Sequence, residues 1–211
     1  MMSLEEALNW RSATKSYNGR IIEKDKIEQI LNAIRLAPSS SGLQPFKVFV
    51  ITNKELREKL QPIAWQQQQI VQASHILVFA AWDEYTAERV DAFFEFSNKE
   101  RNLPSTATDD YRLNLLEMLD KKTKEDHFVN ASQQTYIALG FGLLAAAHLK
   151  IDATPLEGFD NKGVDELLNL PQQGVRSTVM MALGYKDEDN DWWAKLKKIR
   201  RSHEELFIEL N

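Results

Sequence analysis

The stretch ASQQTYIALGFGLLAAAHL, residues 131–149, constrains the fold more than any other part of this sequence. Its apolar residues recur at helical spacing and occupy nearly the whole circumference of the predicted helix. A helix that is apolar all round is buried on several sides. Because the chain has only 211 residues, we expect a second subunit to cover part of this helix.

Short apolar segments predict strands that pack against such a helix. The predicted strands, rich in β-branched and aromatic residues, are residues 47–52, 75–82 and 177–185. The predicted helices between and before them are residues 3–10, 24–36 and 54–73. Ser3 and Glu6 form a capping box for the first helix, Pro38 ends the second near Leu36, and Pro62 interrupts the third. This order predicts an α/β or α+β sandwich around a short central sheet.

The composition excludes several classes of protein. Without a cysteine, the chain has no disulfide, zinc–thiolate site, iron–sulfur cluster or cysteine nucleophile, and we expect a reducing, cytoplasmic environment. The four histidines lie far apart, so we expect no metal site. A net charge of −5 argues against general nucleic-acid binding. No apolar run reaches about 18 residues and no secretion signal is visible, so we expect neither a membrane span nor export.

One motif resembles a dinucleotide-binding loop and is rejected. Gly140, Gly142 and Ala145 match the pattern G-x-G-x-x-A. That fingerprint requires a strand before the first glycine and a helix that starts there, whereas these glycines lie inside a predicted helix. The pattern therefore predicts close packing between two helices.

Four polar segments are candidate ligand sites on their residues alone. Residues 11–20 and 195–201 are basic and could hold a phosphate through charge-assisted hydrogen bonds, but both could equally be solvated, and 195–201 could be a nucleic-acid patch. The serine loop, residues 39–42, supplies small donors or merely caps an element. Residues 154–160 form a turn that either joins two elements or directs backbone N–H groups at a ligand. Composition and spacing alone predict only an anion-binding protein.

Taken together, five segments resemble the nitroreductase family of flavin-dependent NAD(P)H oxidoreductases, and within it the branch of oxygen-insensitive nitroreductases and dihydropteridine reductases. Residues 11–17, RSATKSY, resemble the opening signature R-x-S-x-[RK]-x-[FY], with Ala13 in place of serine. Residues 37–46 resemble A-P-S-x-x-x-x-Q-P-W, with Phe46 in place of tryptophan. The other matching segments are residues 73–75, 134–140 and 151–160. The likeness covers nearly the whole chain.

The resemblance implies an α+β fold, with a mostly antiparallel central sheet surrounded by helices, in an intertwined homodimer. It also implies FMN held non-covalently between the two subunits. From one subunit we expect the cofactor to contact Arg11, Ser12, Ala13, Lys15, Gln66, Pro155, Leu156, Glu157, Gly158, Lys198 and Arg200. From the other subunit the resemblance implies Pro38, Ser39 and Ser40, and it places Gln134 against the ring. Lys198 and Arg200 are expected at the FMN phosphate.

The implied activity is transfer of a hydride from NAD(P)H, through flavin N5, to nitroaromatics, quinones or similar acceptors by a ping-pong mechanism. The alternatives are a flavin or dihydropteridine reductase that uses the same site, and a non-catalytic flavin-binding protein. No side chain need act as a general acid. We expect Lys15 to stabilise negative charge on the reduced ring, and a backbone N–H at Glu157–Gly158 to tune the transfer.

The least readable part of the chain is residues 84–125. They are polar, with apolar residues at helical spacing, and we expect helices that leave the core to cover the active site or the partner subunit. Ser41, Gln69 and Arg101 are the expected residues on the substrate or nicotinamide side. The whole chain, residues 1–211, is predicted to form a single domain.

Overall fold

The fold is built on one antiparallel sheet. A computed structural model describes residues 2–210, and within that range the strands are β1 (Phe46–Ile51), β2 (His75–Trp82), β3 (Asp152–Leu156) and β4 (Val175–Gly184). Their order across the sheet is β1-β2-β4-β3, and every neighbouring pair is antiparallel. The α+β fold class is thus confirmed.

Helices precede, separate and cover these strands. In chain order they are α1 (Leu4–Trp10), α2 (Lys24–Arg35), α3 (Lys54–Ile63), α4 (Gln69–Gln72), α5 (Ala87–Glu100), α6 (Asp109–Asp120), α7 (Lys124–His148), α8 (Asn161–Leu167) and α9 (His203–Leu206). The predicted capping box of Ser3 and Glu6 is present at α1, and α2 ends three residues before Pro38. The apolar helix α7 begins at Lys124, earlier than predicted, because Thr123 and Asp126 form a second capping box there.

Both faces of the sheet are buried. Leu77, Phe79, Met181 and Leu183 face α2 and α7, whereas the alternate residues of the same strands pack with α3 and α8. Side chains of a strand point alternately to opposite faces, so two covered faces need continuous apolar strands. This requirement explains why HILVFAAW has no polar alternation, and why its ends at 75 and 82 are predicted correctly.

The glycine motif of α7 lies inside a helix, as predicted. A Cβ at Gly142 would lie 2.9 Å from Cγ1 of Ile34, a residue of α2. Glycine at 142 therefore allows α2 and α7 to approach closely, which confirms the packing interpretation for Gly142. A Cβ at Gly140 would meet nothing within 4 Å, so the interpretation does not hold for the first glycine of the motif.

Two predictions of secondary structure are wrong. Residues 154–160 are predicted to form a turn, but residues 154–156 belong to the edge strand β3 (Asp152–Leu156), and the turn begins only at Glu157. Pro155 is tolerated in β3 because an edge strand leaves some N–H groups unpaired. The helix predicted over residues 54–73 with an interruption at Pro62 is two helices, α3 and α4, but α3 continues through Pro62 to Ile63. Between them Trp65 and Gln66 adopt left-handed backbone conformations, with φ values of 51° and 60°, which no helix contains.

Residues 84–125 contain α5 and α6, which pack against each other around Phe94, Leu115 and Leu119. That these helices cover an active site or a partner stays a prediction, and so does the assignment of residues 1–211 to one domain. Within residues 2–210, no helix is both long enough and apolar enough to cross a membrane.

His75, at the start of β2, should make stability depend on pH. The side chain is buried, and burial together with the positive charge of Arg57 lowers its pKa. A base whose pKa is lower in the folded than in the unfolded chain contributes stability above about pH 6.5, and this stability is lost as the pH falls through the folded-state pKa. Urea unfolding is measured at pH 7.5, 6.5 and 5.5. Protonation of His75 should lower the free energy of unfolding by at most about 1.4 kcal/mol for each pH unit of decrease.

The substitution His75→Gln should flatten the decline, since it removes the titrating group. His203→Gln is the matched control, because His203 is exposed in α9. If the free energy of unfolding had the same pH dependence in the native chain and in His75→Gln, the decline could not be assigned to His75.

Candidate functional site

Residues 11–15 lie along the edge strand β3. Ala13 bridges Ala153 in parallel, and the buried Thr154 hydroxyl donates to the Thr14 carbonyl across 140 positions of sequence. Thr14 itself is buried. These contacts place the predicted residues Arg11, Ser12, Ala13 and Lys15 beside the strand that leads into Pro155, Leu156, Glu157 and Gly158.

Lysine 15 is held in place by its backbone. Its N–H donates to Oδ2 of Asp191 at 2.8 Å, and Asp191 is buried. The side chain of Lys15 is exposed, and it forms no salt bridge with any residue in the described range. The ammonium group of Lys15 is therefore free to contact a ligand that binds beside residues 11–15.

Three cations converge at the end of α1. Nζ of Lys198 donates to the carbonyls of Leu8 and Asn9. Burial, and then the charges of Arg11 and Arg200, lower the pKa of Lys198. Burial and the charge of Arg200 likewise lower the pKa of the half-buried Arg11. Among residues 2–210, no carboxylate pairs with any of the three. We call Arg11, Lys198 and Arg200 the cation cluster. Its unpaired positive charge favours the binding of an anion.

The turn after β3 is fixed from several sides. The N–H of Phe159 donates to the Glu157 carbonyl at 2.9 Å, and that of Asp160 donates to the Ile63 carbonyl at 3.0 Å. The Tyr136 hydroxyl donates to the Glu157 carboxylate. Burial and this neighbouring carboxylate raise the pKa of Tyr136 to about 12. Residues 157–160, the Gly158 turn, are thus rigidly placed beside the strand that carries the candidate residues.

The serine loop is joined to α7 and to α6. The N–H of Ser40 donates to Oε1 of the buried Gln134 at 2.8 Å, and Tyr111 donates to Oγ of Ser41 at 2.9 Å. Oγ of Ser39 accepts from the Gln44 N–H at 2.9 Å. Gln134 therefore belongs with the serine loop and not with the cation cluster, and Pro38, which is exposed, leads into the same loop.

A cavity of about 430 Å³ opens beside this loop. Both Ser41 and Arg101, the residues expected on the substrate side, line it. Its aromatic lining consists of Phe93, Phe94, Phe96 and Tyr111. We call it the aromatic cavity. It lies between the serine loop and the helices α5 and α6, and it offers a site for a flat ligand.

The predicted glutamines are placed differently from one another. Gln66 is exposed in the loop before α4 and has a left-handed backbone conformation. Gln69 is buried at the start of α4 and does not line the aromatic cavity. Sequence reasoning assigned no role to Trp65, Gln67, Tyr111 or Tyr136. The backbone conformation and the long-range contacts that reveal them leave no local signal in the sequence.

Apart from Gln66 and Gln69, the predicted residues form two groups, and their roles stay predictions. One group combines the cation cluster, Lys15 and the Gly158 turn. The other combines the serine loop, Gln134 and the aromatic cavity. A charged end, backbone N–H groups and an aromatic wall are typical of proteins that bind a planar, phosphorylated ligand.

Comparison with known proteins assigns the family. The profile described as the Nitroreductase family matches residues 8–185. The chain is 35% identical to a "Putative NAD(P)H nitroreductase" of Staphylococcus saprophyticus, over 87% of this chain and 88% of the relative. It is 34% identical to YfkO of Bacillus subtilis, which bears the same name, over 87% of this chain and 89% of the relative. The chain belongs to the nitroreductase family.

A solved structure supports the fold. The complex of a nitroreductase-like protein of Exiguobacterium sibiricum with FMN superposes with a TM-score of 0.86 at 17% identity, covering 100% of this chain and 98% of that one. The prediction of an α+β fold is thereby confirmed, and the family model and the relatives confirm the prediction of the family. Because the family is one of oxidoreductases, the prediction of an enzyme is confirmed as well.

Proposed function

We propose that this chain is an FMN-dependent oxidoreductase that passes a hydride from NAD(P)H to nitroaromatic, quinone or similar acceptors. Membership of the nitroreductase family supports the class of reaction. The names of the relatives support NAD(P)H, and FMN is bound by a protein with the same fold. The observation within this chain that carries the proposal is the cation cluster, three basic side chains with no carboxylate partner in residues 2–210.

The residues of the chain fit FMN. In the proposed arrangement, the cation cluster of Arg11, Lys198 and Arg200 binds the phosphate, and residues 11–15 and the Gly158 turn face the ring. FMN, when bound, supplies a centre that accepts and returns two electrons as a hydride. The exposed ammonium of Lys15 would stabilise negative charge on the ring.

The acceptor is proposed to enter the aromatic cavity. Aromatic walls favour flat molecules by offset or edge-to-face stacking, and Phe94 already packs edge-to-face on Tyr111 at 5.7 Å between ring centroids. NAD(P)H and the acceptor use one pocket in turn, which makes the kinetics ping-pong. The helices α5 and α6 are proposed to cover this pocket, within a single domain.

The site is proposed to be completed by a second copy of the chain. Exposed apolar side chains lie on α1 and α7, among them Leu8, Ile137 and Phe141, and Leu4, Ala7, Phe141 and Leu144 line an apolar groove of about 320 Å³. Apolar patches of this kind mark interfaces. The homodimer would bring the serine loop of one subunit to the cation cluster of the other. We place the enzyme in the cytoplasm, since it has no cysteine.

Purified protein tests the proposal directly. It should be yellow, carry about one FMN per chain and elute as a dimer, and NADH or NADPH should bleach it without an acceptor. An anaerobic stopped-flow titration with nitro, quinone and pterin oxidants should then restore the colour and rank the acceptors. A colourless chain that FMN cannot reconstitute would refute the function. A yellow chain that neither NADH nor NADPH bleaches would instead indicate a flavin-binding protein without this activity.

A further inference from the structure

Gln67 bridges two segments that lie far apart in sequence. Its Nε2 donates to the Gly158 carbonyl at 2.7 Å and to the Ala64 carbonyl at 3.2 Å. The first of these bonds joins positions 91 residues apart. The side chain is half-buried. One amide group thus ties the end of α3 to the Gly158 turn.

The backbone before Gln67 is bent to make this contact. Trp65 and Gln66 both have positive φ, a conformation that costs energy for residues other than glycine. The N–H of Gln66 donates to the Gln61 carbonyl at 3.0 Å, and that of Gln67 to the Ala64 carbonyl at 3.1 Å. Such backbone persists only where the surroundings hold it, and it is concentrated at functional sites.

The contact between this loop and the turn is close. A Cβ at Gly158 would lie 3.1 Å from Nε2 of Gln67 and 3.1 Å from a ring carbon of Trp65. A side chain at position 158 would therefore require Gln67 and Trp65 to shift by a few tenths of an ångström. Glycine at position 158 leaves room for the approach of Gln67 and Trp65, whereas its backbone conformation does not itself require glycine.

The Gly158 N–H is oriented and unpaired. Its peptide plane also contains the Glu157 carbonyl, which accepts from the Phe159 N–H at 2.9 Å. In a trans peptide the N–H points opposite to that carbonyl, so it points away from the interior of the turn. Within the described range, the Gly158 N–H has no acceptor. Gln67 holds the following carbonyl, and Tyr136 holds the Glu157 carboxylate.

We propose, on the basis of the proposed function, that Gln67 is a positioning residue that fixes the direction in which the Gly158 N–H donates to the flavin ring. A donor held in advance needs no reorganisation when the ligand arrives. The oxidised ring accepts hydrogen bonds at its N5 nitrogen, whereas the reduced ring carries a hydrogen there. The fixed donor therefore favours the oxidised ring and lowers its reduction potential.

The test compares Gln67→Met with Gln68→Met in the FMN-loaded dimer. Both changes replace an amide with an apolar side chain of similar length, and Gln68 is exposed in the same loop. The two-electron midpoint potential, the dissociation constant of oxidised FMN and the thermal midpoint are measured for each. We expect Gln67→Met to weaken the binding of oxidised relative to reduced FMN about tenfold, which raises the potential by about 30 mV. Gln68→Met should leave the potential unchanged.

A purely structural role of Gln67 would give a different result. It would lower the thermal midpoint and weaken both redox states equally, so an unchanged potential in Gln67→Met overturns the proposal. If Gln67→Met does not fold, Gln67→Leu is measured in the same way, since it also removes the amide donor and adds no charge. A native chain that binds no FMN refutes the proposed function as well, whereas a native flavoprotein with an insensitive potential refutes only the role of Gln67.

Discussion

The substitution Arg11→Met should weaken FMN binding about 10- to 150-fold without destabilising the chain that lacks FMN. Loss of a hydrogen bond to a charged group costs roughly 1.5–3 kcal/mol, which corresponds to this range. Arg11 is half-buried, and both burial and the charge of Arg200 lower its pKa. Removing it therefore removes a repulsion from the free chain and an attraction from the complex. Fluorescence titration of FMN and thermal unfolding of the FMN-free chain measure the two effects.

Arg201→Met is the matched control for this prediction. Arg201 lies next to Arg200 in the same segment, is exposed, and has no hydrogen bond or ion pair within residues 2–210. The Arg201→Met variant should retain FMN almost as well as the native chain. If Arg11→Met bound FMN with native affinity, the phosphate would have to lie elsewhere. If both variants lost affinity equally, the effect would come from net charge and not from the cluster.

The substitution Phe141→Glu should dissociate the proposed dimer and release FMN. Phe141 lies on α7, 43% exposed, and lines the apolar groove with Leu4 and Leu144. A carboxylate buried without a partner in a seam between subunits costs several kcal/mol. The dimer dissociation constant should therefore rise at least about 100-fold, for a cost on the order of 3 kcal/mol. Analytical ultracentrifugation measures the dissociation, and flavin absorbance after gel filtration measures retention.

The matched control for the seam is Ile21→Glu. Ile21 is an exposed apolar residue in the loop before α2, 63% accessible, and it contributes to no groove described above. This variant should stay dimeric and yellow. A Phe141→Glu protein that remained dimeric would place the interface elsewhere. A monomer that still held FMN with native affinity would show that one chain suffices for the site.

The elements that the sequence predicted well are those whose pattern is local. HILVFAAW is apolar on both alternations, and the structure buries it on both faces of the sheet as β2. Ser3 and Glu6 form the predicted cap, and the glycines of α7 lie inside a helix as expected. The motifs that resemble the nitroreductase family also identified it correctly. Each of these features depends on residues close together in the chain.

Long-range contacts could not be predicted in the same way. The turn predicted for residues 154–160 rests on Pro155 and Gly158, and only the pairing with β4 shows that its first three residues belong to a strand. The break between α3 and α4 is predicted at Pro62 but lies after Ile63, because nothing local in the sequence requires positive φ at Trp65 and Gln66. For the same reason, Gln67 was passed over between two glutamines that the family resemblance had selected.

The sequence by itself determined the type and order of the main elements, the two-sided burial of the sheet, and the family. Periodicity, capping and motif order are recorded in neighbouring residues, so they can be read without coordinates. Only the tertiary structure decided that residues 11–15 lie along β3, that Gln134 binds the serine loop, and that Gln67 holds the Gly158 turn. Such contacts join residues more than ninety positions apart, and they depend on the packing of the whole chain.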